Sequence, residues 1–187
     1  DLLINGAGGN DPKGTTSKEW FEPDDLRQDS LVTFFNLDPK SVEFVFNLNF
    51  LGTLLPTQVF ARQMLGRSGC SIINISSASS GPPLSKVMTY AVAKAGVNQI
   101  TMFLAQDFAQ YGVRVNAILP GFFPAEQNRR ILTEERVASI MRHTPMHRFG
   151  EADELVGAAV YLASPQASGF VTGSILRVDG GFLAMTI

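Results

Sequence analysis

SIINISSASSGPPLSKVMTYAVAKAG, residues Ser71 to Gly96, sets a strand, a loop and a helix in a row. The apolar run Ile72-Ile73-Asn74-Ile75 is short and bounded by Ser, Gly and Pro, as a buried parallel strand requires. Small residues fill the loop from Ser76 to Pro83, and a helical pattern begins near Thr89. Tyr90 and Lys94 stand four apart, which on a helix puts them on one face, one turn from each other. Ser77 lies at the strand end. Open α/β sheets hold their ligands outside the carboxyl ends of their strands, so a hydroxyl, a phenol and an ammonium meeting there describe a proton-transfer site.

Two further turns surround this stretch. Asn5-Gly6-Ala7-Gly8 follows the strand-like Leu2-Leu3-Ile4, and Pro120-Gly121 closes the alternating run Val113 to Leu119. Together the four features resemble the short-chain dehydrogenase/reductase family, in which an N-N-A-G-like turn, a Ser, a Y-x-x-x-K pair and a P-G turn recur in this order. The resemblance runs from Asp1 to about Phe182. It implies an α/β fold with a doubly wound, Rossmann-like parallel sheet, formed as a single domain over residues 1–187. In the family a T-G-x-x-x-G-x-G turn and two further strands come earlier in the chain. Gly6-Ala7-Gly8-Gly9 follows a different strand and is not that turn. The expectation is therefore an incomplete sheet, the C-terminal two-thirds of the family's domain, with an exposed edge.

The bulk numbers narrow the class. At 187 residues the chain can bury a substantial core, and 17% charged against 45% hydrophobic residues excludes disorder. Net charge is −2 and the longest basic run is Arg129-Arg130, which argues against a nucleic-acid partner. The single Cys70 has no internal disulfide partner, as a reducing compartment allows, and a cytoplasmic location is expected. No apolar run stands out as a membrane span, and no signal-like start is visible.

Residues Asn10 to Leu37, rich in turn formers, read as a long excursion with room for one short helical turn. A substrate-side lid and a surface elaboration or oligomer contact both fit it. Asp38-Pro39 opens a helix predicted to run to about Leu65, with Pro56 kinking it. Asn47 and Asn49 both interrupt its apolar pattern. By position Asn47 matches the family's helix asparagine, which holds a water in a proton relay; Asn49 is the second candidate. Beyond Lys94, Ala93, Val97, Ile100, Leu104, Phe108 and Tyr111 mark an apolar stripe that stops at Gly112, while Ala91, Ala95 and Gly96 offer a smooth surface. In the family this helix often lines a subunit interface, which implies a homo-oligomer, a tetramer or a dimer.

After Pro120-Gly121, Ala125 stands where the family carries a Thr, and Ile131 to Met141 looks helical. His143 and His147 are four apart, but Pro145 between them breaks the helix such a metal pair needs, so no metal is expected. A helix from about Asp153 to Ala163 and a last strand ending Asp179-Gly180-Gly181 complete the chain.

A carbinol loses hydride only if its hydroxyl proton also leaves. Tyrosine, ordinarily near pKa 10, is a poor base until a neighbouring ammonium favours the phenolate; unit charges ~4 Å apart at an effective dielectric of ~20 attract by about 4 kcal/mol. Tyr90 is thus the expected general acid/base, Lys94 its electrostatic partner, Ser77 the group that orients the reacting oxygen, and Asn47 the relay. The resemblance implies NAD or NADP, held by Asn5, Ala7, Gly8, Tyr90, Lys94, Pro120 and Gly121. The runs Asn5 to Thr16 and Pro120 to Arg129 resemble D-mannonate and related sugar-acid oxidoreductases, whose carboxylate would suit Arg129, Arg130 or Lys13. Reduction of a 3-oxoacyl thioester or small ketone is the rival enzyme reading. A non-catalytic binding or structural domain, or an inactive fragment, is the rival from another class. A cationic end to the pocket favours the sugar acid, and a long apolar channel favours the acyl chain.

Overall fold

Four parallel strands place everything else. In the computed structural model, which describes residues 1–123 and 132–185, β1 (Leu2–Asn5), β2 (Cys70–Ile75), β3 (Val113–Pro120) and β4 (Ile175–Val178) pair in the order β1-β2-β3-β4. Every pairing is parallel, with Ile4 opposite Ile73, Ile73 opposite Asn116 and Ile118 opposite Leu176. Parallel order forces each connection to cross a face of the sheet, and helices cover both faces. This is the doubly wound arrangement expected. Among the described residues β1 pairs with β2 alone, which leaves its outer side as the sheet edge, where Leu2 and Ile4 are half exposed.

The crossing helices begin where the sequence caps them. Asp38 accepts from the Ser41 backbone N–H at 3.1 Å and its Oγ at 2.9 Å, bonds that hold its carboxyl below the usual range. The helix it opens has three parts: α1 (Pro39–Phe46), a π-helical turn (Asn47–Leu51) and α2 (Gly52–Ala61). Pro56 sits inside α2, but the departure from α-helical bonding comes earlier, where the Gly52 N–H reaches back to the Asn47 carbonyl. α3 (Met88–Phe108) runs on through a 3₁₀ turn to Gly112, whose φ of 82° ends it. α4 (Glu134–His143), α5 (Val156–Ala163) and the short α6 (Pro165–Ser168) follow. The excursion before Asp38 holds three short 3₁₀ turns rather than one: Pro12–Gly14, Pro23–Arg27 and Phe34–Asn36.

Alternation along β2 divides the core in two. Cys70 and Ile72 point toward α2 and α3, where Ala61, Met64, Ala105, Val113 and Val115 join them. Ile73 points the other way, against Ile118 and Leu162 with α5 behind. α3 meets the sheet through small and polar residues, Ala93, Val97, Thr101 and Ala105 at four-residue spacing, and Tyr111 falls outside that face and is exposed. At Gly96 the small-residue surface admits close packing within the chain, since a Cβ there would stand 3.0 Å from the Phe50 ring. A buried polar row crosses this same layer. Asn5 Nδ2 donates to Thr57 Oγ1 at 2.9 Å and to Asn74 Oδ1 at 2.8 Å, and Asn74 Nδ2 donates to Thr101 Oγ1 at 2.8 Å.

One expectation about apolar runs is corrected. The continuous helix Pro39–Ala61 is long enough to cross a membrane, and an 18-residue window of it reaches a mean hydropathy of 1.3, the level of a span by length and composition only. Its Asn, Thr and Pro residues concealed this from a search for an unbroken apolar run. Asn49 and Thr57 tie the helix into the protein through hydrogen bonds to the Gly9 backbone and the Asn5 side chain.

Candidate active site

The carboxyl ends of β1, β2 and β3 open onto a cleft of about 340 Å³. Ser77 enters it directly after β2, held there because Asn98 of α3 grips the loop. Ser76 Oγ donates to Asn98 Oδ1 at 2.5 Å, Asn98 Nδ2 donates to Ser80 Oγ at 2.8 Å, and Ser80 Oγ donates to the Ser77 carbonyl at 2.6 Å. Tyr90, two turns earlier on α3, lines the same cleft. One helix therefore presents the phenol and fixes the loop that presents the hydroxyl. Asn98 continues the series Tyr90, Lys94 at the same four-residue spacing, and that spacing is its signal in the sequence.

Lys94 is buried one turn behind Tyr90. Its Nζ donates to the Ile75 carbonyl at 2.9 Å and lies 5.8 Å from the centre of the Tyr90 ring. Burial alone brings its pKa down to about 8. The Tyr90 phenol departs from expectation: burial pushes it above its ordinary 10.0, and the hydrogen-bonding pull of the Ser77 hydroxyl works in the opposite direction. The ammonium's neighbours are the Tyr90 ring and the strand-end carbonyl, and it is burial and Ser77, rather than Lys94, that move the phenol.

The two asparagines exchange places. Asn47 is exposed on the outer side of the helix, while Asn49 is fully buried. Asn49 Oδ1 accepts from the Gly9 N–H at 3.1 Å, and its Nδ2 donates to the Gly9 and Val45 carbonyls, both at 2.7 Å. Asn49, within the π turn, continues the buried series Ser41 and Val45 at four-residue spacing, which turns it inward, toward the turn after β1 and Lys94. π turns inside α-helices recur at functional sites.

The remaining candidates separate by placement. Gly8 and Gly121 line the cleft. A Cβ on Gly8 would meet Asn49 Oδ1 at 2.9 Å and Lys94 Nζ at 3.0 Å, and one on Gly121 would meet the Asp179 Cα at 2.6 Å. Both positions require glycine for space. Asn5 is nearly fully buried with its amide spent on Thr57 and Asn74, so its side chain braces the sheet instead of facing the cleft. Ala7 and Pro120 flank the opening without lining it. Lys13 is exposed and away from the cleft, and Ala125, Arg129 and Arg130 lie outside the described residues. Among the described residues no cluster of metal-ligating side chains forms. His143 and His147 each turn a ring nitrogen to a backbone carbonyl, of Ser139 and Met141.

The cleft walls also include Arg136 of α4, with Leu132, Phe149, Phe122 and Phe123. No local pattern in the sequence distinguishes Arg136. It enters through tertiary contact, pairing with Glu19 from the excursion and donating to Ser85 from the loop after β2.

Comparison with known proteins agrees with this geometry. The family model described as enoyl-(acyl carrier protein) reductase matches residues 28–183. An uncharacterised oxidoreductase of Haemophilus influenzae is 50% identical over 190 residues, covering 98% of this chain. The chain spans 66% of that relative's length. A suspected D-mannonate oxidoreductase from Haemophilus influenzae, solved with NAD bound, superposes with a TM-score of 0.93 at 49% identity over 100% of this chain and 68% of that one. A gluconate 5-dehydrogenase of Burkholderia cenocepacia, solved with NADP and tartrate, gives 0.81 at 34% identity over 100% and 66% of the two chains.

Proposed function

The chain belongs to the short-chain dehydrogenase/reductase family, and from that premise we propose that the protein moves a hydride between a nicotinamide dinucleotide and the secondary alcohol or ketone of a sugar acid, of which D-mannonate is the type. The observation that carries the reaction class is one shared cleft: Ser77, Tyr90, Gly8 and Gly121 all line it at the carboxyl ends of three parallel strands. The substrate class draws on the relatives, one a suspected D-mannonate oxidoreductase and another a gluconate 5-dehydrogenase.

The residues present fit the dinucleotide. Gly8 and Gly121 bring their backbone to the cleft wall, packed so closely on Asn49 and Lys94 or on Asp179 that no side chain fits there, and Lys94 Nζ lies directly behind Gly8. We assign Gly8, Gly121 and Lys94 to holding it, with Ala7 and Pro120 shaping the approach. Bound there, the nicotinamide supplies or takes up the hydride. The relatives carry NAD in one case and NADP in the other, and either is expected here.

The chain's own residues handle the proton. Tyr90 Oη takes it from the carbinol in oxidation and returns it to the carbonyl oxygen in reduction. Ser77 Oγ, beside it, donates to the reacting oxygen and fixes its approach. Lys94 favours the phenolate when charged, and Asn49, not Asn47, is the helix asparagine of the site. Its amide locks the Gly8-Gly9 turn against α1, which makes it a positioning residue. A homo-oligomer is also proposed. Val92, Met102 and Phe103 of α3 and Phe44, Leu55 and Val59 of the preceding helix are each 42% exposed or more, an apolar extent that a second copy would cover.

The test is a panel of aldonates, ketoaldonates and polyols followed at 340 nm with NAD and with NADP, using the protein at full length. Turnover of an aldonate or ketoaldonate that vanishes in Tyr90→Phe is the expected result. Turnover of acyl thioesters alone would replace the substrate class.

A further inference from the structure

Arg136 is the one cationic side chain on the cleft wall among the described residues. Its side chain is 16% exposed, amid Leu132, Phe123 and Phe149. A guanidinium is costly to hold in such surroundings unless its donors are used. Nη1 pairs with the Glu19 carboxylate and donates to Ser85 Oγ at 3.1 Å, and Nη2 donates to the Ser85 carbonyl at 3.1 Å. Among the described residues that accounts for three of the five N–H donors. The two left over, on Nε and Nη2, belong to the side edge of the fork, which matches both oxygens of a carboxylate.

We propose that Arg136 binds the carboxylate of the sugar-acid substrate while Ser77 and Tyr90 take its reacting oxygen, an inference that rests on the sugar-acid reading above. Glu19 and Ser85 come from separate segments, the excursion and the loop after β2, and clamp the guanidinium from two sides. That removes most of the rotamer entropy an arginine loses on binding a ligand, so the open edge is preorganised. Apart from Asn10 and the Tyr90 phenol, the other wall residues are apolar or small. An acyl chain would lie against them with the cation unmatched, whereas an aldonate supplies the missing anion and leaves its hydroxyls for Ser77, Ser79 and Asn10. The excursion thus has a use: it orients the residue that selects acids from neutral polyols.

The alternative is a knot that only ties the three segments together, and substrate comparison separates the two. In the full-length protein with its nicotinamide cofactor, Arg136→Gln is expected to lower kcat/KM for an aldonate by about 10- to 100-fold, the loss of a charge-assisted bond pair, mostly through KM. For the matching alditol the change is expected to stay within about 3-fold. Arg136→Lys, which keeps charge without the fork, should fall between, and Glu19→Gln, which keeps an acceptor for Nη1 but removes the competing negative charge, should lower the aldonate KM. Equal losses on aldonate and alditol, or no loss on aldonate, overturn the assignment. If the wild type turns over no aldonate, the sugar-acid reading fails separately. Calorimetric titration with D-gluconate then judges Arg136 alone: binding abolished by Arg136→Gln keeps the anion site, and binding absent or unchanged removes it.

Discussion

The two faces of the sheet satisfy their polar groups in different ways. Toward α2 and α3, side chain bonds to side chain: Asn5 to Thr57 and Asn74, Asn74 to Thr101, Ser76 to Asn98. Toward α5, side chain bonds mostly to backbone: Ser71 Oγ to the Leu162 carbonyl at 2.9 Å and Asn116 Nδ2 to the Val171 carbonyl at 2.9 Å. Backbone acceptors are fixed by the fold, so the α5 face can be specified by packing alone. A side-chain network holds only if every member is in place, and it then fixes rotamers as well as elements. Every proposed proton-handling group stands at the end of the first face, where rotamer accuracy matters. The difference is one of task, and each face should fail in its own way.

The sharpest separation comes from Tyr90→Phe. Removing one hydroxyl from the half-buried ring should reduce kcat by about 10³-fold or more, in line with loss of an acid–base group, while the thermal midpoint moves little. Leu162→Ala is the converse. Leu162 is fully buried in the α5 cluster, and its truncation should cost about 3 kcal/mol of stability with kcat per folded molecule unchanged. Denaturant titration beside single-turnover kinetics reads both. If the leucine variant loses rate and the tyrosine variant loses stability, the division of labour between faces is wrong.

Lys94 belongs to the chemical face and should weaken the fold it serves. With a folded pKa of about 8 against an ordinary 10.5, the unfolded chain binds more protons between those values. Stability therefore rises with pH through that window and is lowest below it. Lys94→Met should be more stable than the wild type at pH 7 by up to ~3 kcal/mol, and nearly inactive. The gap should close as pH climbs from 8 to 10.5. A pH-independent difference in denaturant midpoint would show that the lysine carries no such penalty.

How far the sequence reaches follows the same division. The strands, their order of turns and the Ser77, Tyr90, Lys94 constellation were legible, because periodicity and Pro-Gly punctuation are local signals. Arg136 was not, since three segments distant in sequence converge on it, and a charged residue in a helix's first turn has no mark of its own. The lowered phenol expected for Tyr90 failed for a related reason. The tyrosine–lysine spacing is local, but burial of both groups is a property of the packed layer.

The smallest predicted effect tests the comparison most finely, because it sets two identical residues against each other. On a regular α-helix positions 47 and 49 lie about 200° apart, so one of them faces inward, and periodicity with Pro56 nearby does not say which. Asn49 continues the buried series Ser41 and Val45 at four-residue spacing, which sends it to the Gly9 backbone and leaves Asn47 in solvent. Asn49→Ala removes three hydrogen bonds and leaves Gly9 groups unpaired, which should cost about 2 kcal/mol and at least 10-fold in turnover as the glycine turn loosens. Asn47→Ala should stay within about 0.5 kcal/mol and leave turnover alone, as surface substitutions do. Paired denaturation and rate measurements on the two variants check it, and a larger loss at Asn47 would mean that the Asn49 face of the helix is not the one that serves the site.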